Sequence, residues 1–307
     1  MARNVVTGGE GFIGRHLVAA LCKRGDEVIV IGRPGSTRGP VPQVSDVLRI
    51  GLTDRPALDA LFATREVDAV YHLAARTRRR SAADFSDWTD SVAEDLAALV
   101  TLVAAAAAAK RPPRVLVRTG SIAEYGAAAL PYRETGPVLP DSAYGAALSA
   151  GTTYMLAMAP SLPFPVATAR LALTYGPGQS PDFLAAKLLT DLPRGLPVMV
   201  SRPEDRRTLV YIDDAVRALL RLAEHPIQLV NIATEDVPSM RELAHLVAEL
   251  SGADHALLRF GSMAGPPVTL RSDTQLARSA LGWTAQYDLR AGVAHCLARM
   301  RVECLAS

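Results

Sequence analysis

Residues 7–14 read Thr-Gly-Gly-Glu-Gly-Phe-Ile-Gly, and this stretch constrains the fold more than any other. It follows the apolar run Asn4–Thr7 and opens the amphipathic pattern Ile13–Arg24. A strand that feeds a helix through glycines at this spacing forms a turn whose backbone can approach a pyrophosphate at the helix N-terminus. Gly8, Gly11 and Gly14, with the amides of Phe12 and Ile13, are therefore candidate cofactor contacts. A glycine triple alone is weak; its place between strand and helix gives it weight.

The rest of the first half repeats the alternation. Val28–Ile31, Val44–Ile50, Val67–His72 and Arg114–Thr119 are nearly continuous apolar runs, as expected of strands covered on both faces. Asp54–Ala63 and Trp88–Lys110 carry helical patterns between them. The chain is thus predicted to be α/β, a Rossmann doubly wound parallel sheet. A further helix is expected from near Ser142 to Met158, and a strand over Val166–Thr174. After Tyr175 the alternation ends at Gly176, Pro177, Gly178 and Pro181. A Gly/Pro-rich connection, Gly261–Pro267, precedes closing helices over Asp273–Leu281 and Leu289–Met300. This pattern divides the chain into a dinucleotide domain, 1–175 with segments returning near 208–234, and a smaller mixed substrate domain, 176–207 and 235–307.

Composition excludes several classes. With 33 basic against 31 acidic residues the net charge is +2, which leaves no electrostatic footprint for nucleic acid or a lipid surface. Cys22, Cys296 and Cys304 are scattered, odd in number and without metal spacing, and read as reduced thiols. The six histidines show no metal-binding spacing. The chain runs almost directly into a strand, and its longest apolar run, Leu96 to Ala109, is too short to span a bilayer. A cytoplasmic location is the expectation.

The second strand ends at Ile31 and is followed by Gly32 and Arg33. A carboxylate commonly stands there to bind the ribose hydroxyls of NAD. Its absence removes repulsion from a 2′-phosphate, and Arg33 can pair with that group, assisted by Arg38 and Arg15. The expected cofactor is NADP(H).

At this point the chain resembles the extended short-chain dehydrogenase/reductases, the NAD-dependent epimerase/dehydratase family. The resemblance runs through 7–14, His72-Leu73-Ala74-Ala75, Ser121 in Ser-Ile-Ala-Glu-Tyr-Gly, Tyr144-Gly145-Ala146-Ala147, Tyr175-Gly176-Pro177-Gly178, Val210-Tyr211-Ile212-Asp213-Asp214 and Leu281-Gly282-Trp283. It implies hydride transfer between nicotinamide and a carbon–oxygen centre. Tyr144 would be the acid or base and Ser121 the carbonyl ligand, with Leu73, Ala74, Ala75 and Arg76 beside the cofactor. His72 reads as a core residue, and Glu124 and Asp141 as loop residues. Helices matching Trp88–Lys110 and Ser142–Met158 form a dimer interface in related proteins, so a homodimer is an expectation.

One departure outweighs the matches. The family lysine should stand at 148, and Leu148 is there. An ordinary tyrosine has a pKa near 10, so without a neighbouring cation Tyr144 stays protonated at neutral pH. A protonated phenol can donate to a developing alkoxide and serves poorly as a base, which favours ketone reduction over alcohol oxidation. A phenol on the substrate could replace it. Leu173 stands where nucleotide-sugar members place a polar anchor, and Ser262-Met263-Ala264-Gly265 replaces their basic diphosphate stretch, although Arg207 is retained. These losses point to an apolar pocket. The first expectation is an NADPH-dependent ketoreductase of an aromatic polyketide-type metabolite, akin to antibiotic-pathway ketoreductases with degraded catalytic triads. A nucleotide-sugar ketoreductase or epimerase stands second, and a non-catalytic NADP-binding regulator third.

Overall fold

The computed structural model describes residues 1–307 except 37–40, 42, 78–83, 263, 264 and 307, and the side chains of 303–306. Arg38, Met263, Ala264 and the Cys304 side chain therefore lie outside the described residues.

The first half is strand and helix in turn: β1 (Arg3–Thr7), α1 (Phe12–Lys23), β2 (Glu27–Gly32), β3 (Asp46–Arg49), α2 (Arg55–Thr64) and β4 (Ala69–His72). Then come α3 (Ser86–Ser91), a π-helical segment (Val92–Ala97), α4 (Ala98–Ala107), β5 (Val115–Ser121), α5 (Ala143–Met158) and β6 (Val166–Leu171). With β11 (Leu229–Ile232) these strands form one seven-stranded parallel sheet, ordered β11-β6-β5-β4-β1-β2-β3. The order reverses between β1 and β4, which opens the crevice where ligands bind in doubly wound sheets.

Alternation along the strands divides the core. Val6, Val28, Val30 and Val117 pack with Leu17 and Leu21 of α1 and with Leu219 of the later helix α7 (Ile212–Glu224). Val5, Ile29 and Leu116 face the other way, onto Leu58 of α2, Leu99 and Leu102 of α4 and Met155 of α5. Asp54 caps α2 by accepting from the Ala57 amide, and Ser142 caps α5 by accepting from Gly145.

Three expected elements differ. The helix over Trp88–Lys110 starts earlier, ends at Ala107 and is interrupted by the π-helical segment. The strand over Val166–Thr174 breaks at Ala172, and β7 (Leu173–Tyr175) leaves the main sheet to pair with β10 (Leu209–Tyr211). The closing helices become a short α9 (Gln275–Ser279) and a longer α10 (Leu289–Ala306).

The remaining chain holds α6 (Leu184–Asp191), β8 (Val198–Val200), β9 (Arg206–Arg207), α8 (Met240–Ser251), β12 (Leu258–Phe260) and β13 (Thr269–Leu270). β8 pairs with β12, and β9 with β13. Asp214, at the start of α7, is buried and ties the C-terminal segment down. Its carboxylate accepts from the amides of Gln286 (2.9 Å) and Tyr287 (3.0 Å), and its carbonyl accepts from the indole N–H of buried Trp283 (3.2 Å). Among the described residues no helix is long and apolar enough to cross a membrane. Among the described residues, Cys22 and Cys296 take part in no disulfide.

Candidate active site

The glycine turn sits at the reversal of strand order. Gly8 has φ +69, and a Cβ there would lie 2.8 Å from the backbone of Leu73 and Ala74. A Cβ on Gly14 would collide with the Gly8 carbonyl. Both glycines are therefore demanded by backbone approaching backbone, between β1, β4 and α1. The twelve-residue helix α1 starts at Gly11 with no side-chain cap. Its first amides, those of Phe12 and Ile13, face the crevice end unclaimed by any capping side chain. This cradle fits a dinucleotide pyrophosphate. Beneath it Thr7 Oγ1 lies 2.8 Å from His72 Nδ1 and accepts from the Ala74 amide at 3.3 Å, which fixes Leu73, Ala74 and Ala75 beside Gly8. His72 is a core residue, and burial, helped by the charge of Arg118, lowers its pKa to about 3.

The adenosine end holds a surprise. No carboxylate is attached at position 32, yet one occupies the space. Glu10, from the glycine turn, bonds Arg49 at 2.7 Å, and a Cβ on Gly32 would meet both side chains. Gly32 is thus the gap through which the Glu10–Arg49 pair passes. Arg15 bonds the Glu10 carbonyl (3.1 Å). Arg33 is largely exposed, 4.0 Å from Glu94 of the π-helical segment, and Glu94 also lies 3.7 Å from Arg76. The sequence missed Arg49 because nothing in its neighbourhood separates it from any exposed strand-end arginine.

Tyr144 and Ser121 come together. Gly145 lets the start of α5 press against the turn after Ser121, since a Cβ there would strike the Ala123 carbonyl. The Tyr144 phenol and the Ser121 side chain lie close enough for Ser121 to favour the ionised phenol. Loss of water around the phenol raises its pKa to about 12; Ser121 and Arg118 pull it down, whereas Asp95 and Glu124 push it up. Leu148, one turn along α5, is buried and apolar.

Glu124, expected in a loop, is instead fully buried at the hub of a network. Its carboxylate accepts from the Ser121 amide (3.1 Å), Thr152 Oγ1 (2.7 Å) and Arg170 Nε (2.8 Å). Arg118 on β5 donates to Thr152 Oγ1 (3.0 Å) and the Leu148 carbonyl (3.2 Å). The Arg170 guanidinium stacks 4.5 Å from the centre of the Tyr125 ring. Charged residues inside apolar strand runs were the available signal. Asp141 is exposed, as a loop residue is.

Arg207, the arginine expected to meet a diphosphate, is held: its Nη2 bonds Asp205 at 2.8 Å, and Arg202 bonds the same carboxylate oxygen at 2.8 Å. Gly261, Ser262, Gly265 and Pro267 line a cavity of about 230 Å³ with Arg202, Glu204, Asp205 and Arg241. Charged side chains from the β8–β9 connection and α8 join this lining; Met263 and Ala264, part of the apolar stretch expected here, lie outside the described residues.

A parallel sheet, a glycine cradle at its switch point and an adjoining Tyr–Ser pair define a dinucleotide-dependent oxidoreductase of the short-chain dehydrogenase/reductase type. Residues 4–233 match the NAD dependent epimerase/dehydratase family, and the chain belongs to it. It is 29% identical to dTDP-6-deoxy-L-talose 4-dehydrogenase (NAD(P)(+)) of Kitasatospora kifunensis, over 95% of this chain and 93% of that protein. Against UDP-glucose 4-epimerase of Mycolicibacterium smegmatis identity is 28%, over 95% and 96%. Among solved structures, MoeE5 in complex with UDP-glucose and NAD superposes with a TM-score of 0.82 at 29% identity, covering 98% of this chain and 99% of that one. These relatives are nucleotide-sugar enzymes, which favours the reading that the sequence placed second over an aromatic polyketide ketoreductase.

Proposed function

We propose that the chain is an NAD(P)H-dependent reductase of a ketone on a nucleoside-diphosphate-linked sugar. The observation that carries the direction is Tyr144: half-buried beside Ser121, its pKa pushed up by loss of water, and with buried Leu148 in place of a cation on its own helix. Such a phenol is a competent acid and a poor base at neutral pH. When bound, the nicotinamide supplies the hydride. Ser121 Oγ–H orients the carbonyl oxygen, and Tyr144 gives that oxygen its proton as negative charge develops. The substrate class is supported by the relatives and by the charged cavity around Arg202, Arg241 and Ser262.

NADP(H) remains the preferred cofactor in this reading. Three guanidiniums, Arg15, Arg33 and Arg49, gather at the adenosine end with two carboxylates, Glu10 beside Arg15 and Arg49 and Glu94 beside Arg33. Residues 1–175 with 208–234 serve as the dinucleotide half, and the remainder as the substrate half. Exposed Phe85, Trp88, Val92, Tyr154 and Met158 on α3 to α5 support a homodimer through that face.

The test follows loss of reduced-nicotinamide absorbance with a nucleoside-diphosphate 4-keto-6-deoxyhexose, with free nucleoside diphosphate as competitor. Turnover that the nucleotide inhibits supports the reading. Reduction of aromatic ketones without nucleotide inhibition overturns it in favour of the polyketide alternative.

A further inference from the structure

Leu148 removes a cation from the face of α5 that carries Tyr144, yet a cation reaches the same turn from below. Arg118 on β5 projects between the sheet and α5. It is 2% exposed, and its Nη2 donates to the backbone carbonyl of Leu148 itself. Gly151 makes this possible: a Cβ there would lie 3.2 Å from Arg118 Nη2 and 3.0 Å from Leu99 Cδ2. Nη1 is fixed by Thr152, and the buried Nε has no hydrogen-bond partner. Burial lowers the pKa of this guanidinium and the charge of Glu124 raises it, and arginine remains protonated at neutral pH; its hydrogen bonds go to Thr152 and Leu148 and not to a carboxylate. By hydrogen bonds Glu124 is joined to it through the Thr152 hydroxyl, while Arg170 also donates to Glu124 Oε2.

We propose that Arg118 is a positioning residue for Tyr144, supplying from the strand beneath α5 the positive charge that Leu148 cannot.

This rests on Tyr144 as the proton donor. In the reduction, the hydride pair enters at the carbonyl carbon as the C=O π pair moves to oxygen. That oxygen takes the Tyr144 proton, the dinucleotide is left oxidised, and a phenolate remains until solvent returns a proton. The phenolate forms in a desolvated place. From the π-helical segment it faces Asp95, from the turn after β5 Glu124, and from β5 itself the neutral Ser121 hydroxyl and Arg118. His72, on the neighbouring strand, is neutral at working pH. Of the described charged groups that act on Tyr144, Arg118 is the cation and Asp95 and Glu124 are the anions. Without Arg118 the phenolate would sit among two carboxylates in low dielectric, where an uncompensated charge is costly.

The experiment uses Arg118→Gln, which keeps a donor for the Leu148 carbonyl and loses the charge, together with Leu148→Lys in that background. Ionisation of Tyr144 is read as the ultraviolet difference between each protein and its Tyr144→Phe counterpart from pH 9 to 12.5, with no substrate present. We expect Arg118→Gln to abolish the Tyr144 transition within this range and to lower kcat for reduction at least tenfold with KM for the dinucleotide unchanged. Leu148→Lys should restore both. An unchanged Tyr144 transition in Arg118→Gln overturns the proposal, as does a loss that Leu148→Lys fails to restore, which would mark Arg118 as structural. If the single variant does not fold, the double variant decides alone: a wild-type transition supports the proposal and its absence overturns it. Because the titration needs no substrate, it stands apart from the sugar reading. Full activity of Tyr144→Phe would defeat that reading's proton donor without touching the titration.

Discussion

Acidification should destabilise the fold through one residue beneath the glycine turn, His72. The Ala74 amide donates to Thr7 Oγ1, so the Thr7 hydroxyl proton is free to point at His72 Nδ1, which accepts it as a neutral ring. Protonated His72 would turn a donor toward a donor. Its pKa falls from 6.5 in the unfolded chain to about 3 in the fold, with burial the main cause. The sign follows: below pH 6.5 the unfolded state binds a proton that the folded state refuses, so stability drops as pH falls through this window and levels off near pH 3. At about 1.4 kcal/mol per pH unit, His72 alone costs about 2 kcal/mol by pH 5 and roughly 4–5 kcal/mol by pH 3. A domain of ordinary stability would lose much of its margin. Urea denaturation at pH 7.5, 6, 5 and 4 measures this, against His72→Asn, whose amide can still pair with Thr7. The wild type should show the steeper decline, by about 2 kcal/mol between pH 7.5 and 5. Parallel pH profiles for the two proteins would refute the reasoning.

Three further outcomes can be checked. Glu124→Ala strips a fully buried carboxylate from Arg170, Thr152 and the Ser121 amide and should cost about 3–5 kcal/mol in denaturant melts; a loss under 1 kcal/mol would mean that water replaces it. Gly14→Ala places a methyl against the Gly8 carbonyl and should abolish dinucleotide binding by calorimetry while leaving most of the fold, seen by circular dichroism. Arg33→Ser and Arg49→Leu should each raise KM for NADPH at least fivefold and leave KM for NADH within twofold; equal effects on both cofactors would assign these arginines to other work.

Much of the cofactor half was legible in the chain. Glycine at 8 and 14 is demanded locally, by a turn that brings backbone against backbone, and such a demand is written in consecutive residues. Strand order follows from the βαβ alternation, and Tyr144 and Ser121 from short motifs. What escaped was everything decided by side chains arriving from elsewhere. Glu10 and Arg49 meet across the empty position at Gly32, thirty-nine residues apart in sequence, so the missing carboxylate at the strand end was in fact replaced in space. Glu124 reads as a loop acid until β6 brings Arg170 and α5 brings Thr152 against it. Nor does the stretch 261–267 announce that α8 and the β8–β9 connection bring Arg241, Arg202 and Asp205 beside it. The sequence alone determined the turn and the layer order, and it singled out Tyr144 and Ser121, because each depends on neighbours along the chain. Only tertiary structure decided the charges around them, because electrostatic partners are chosen by distance through space.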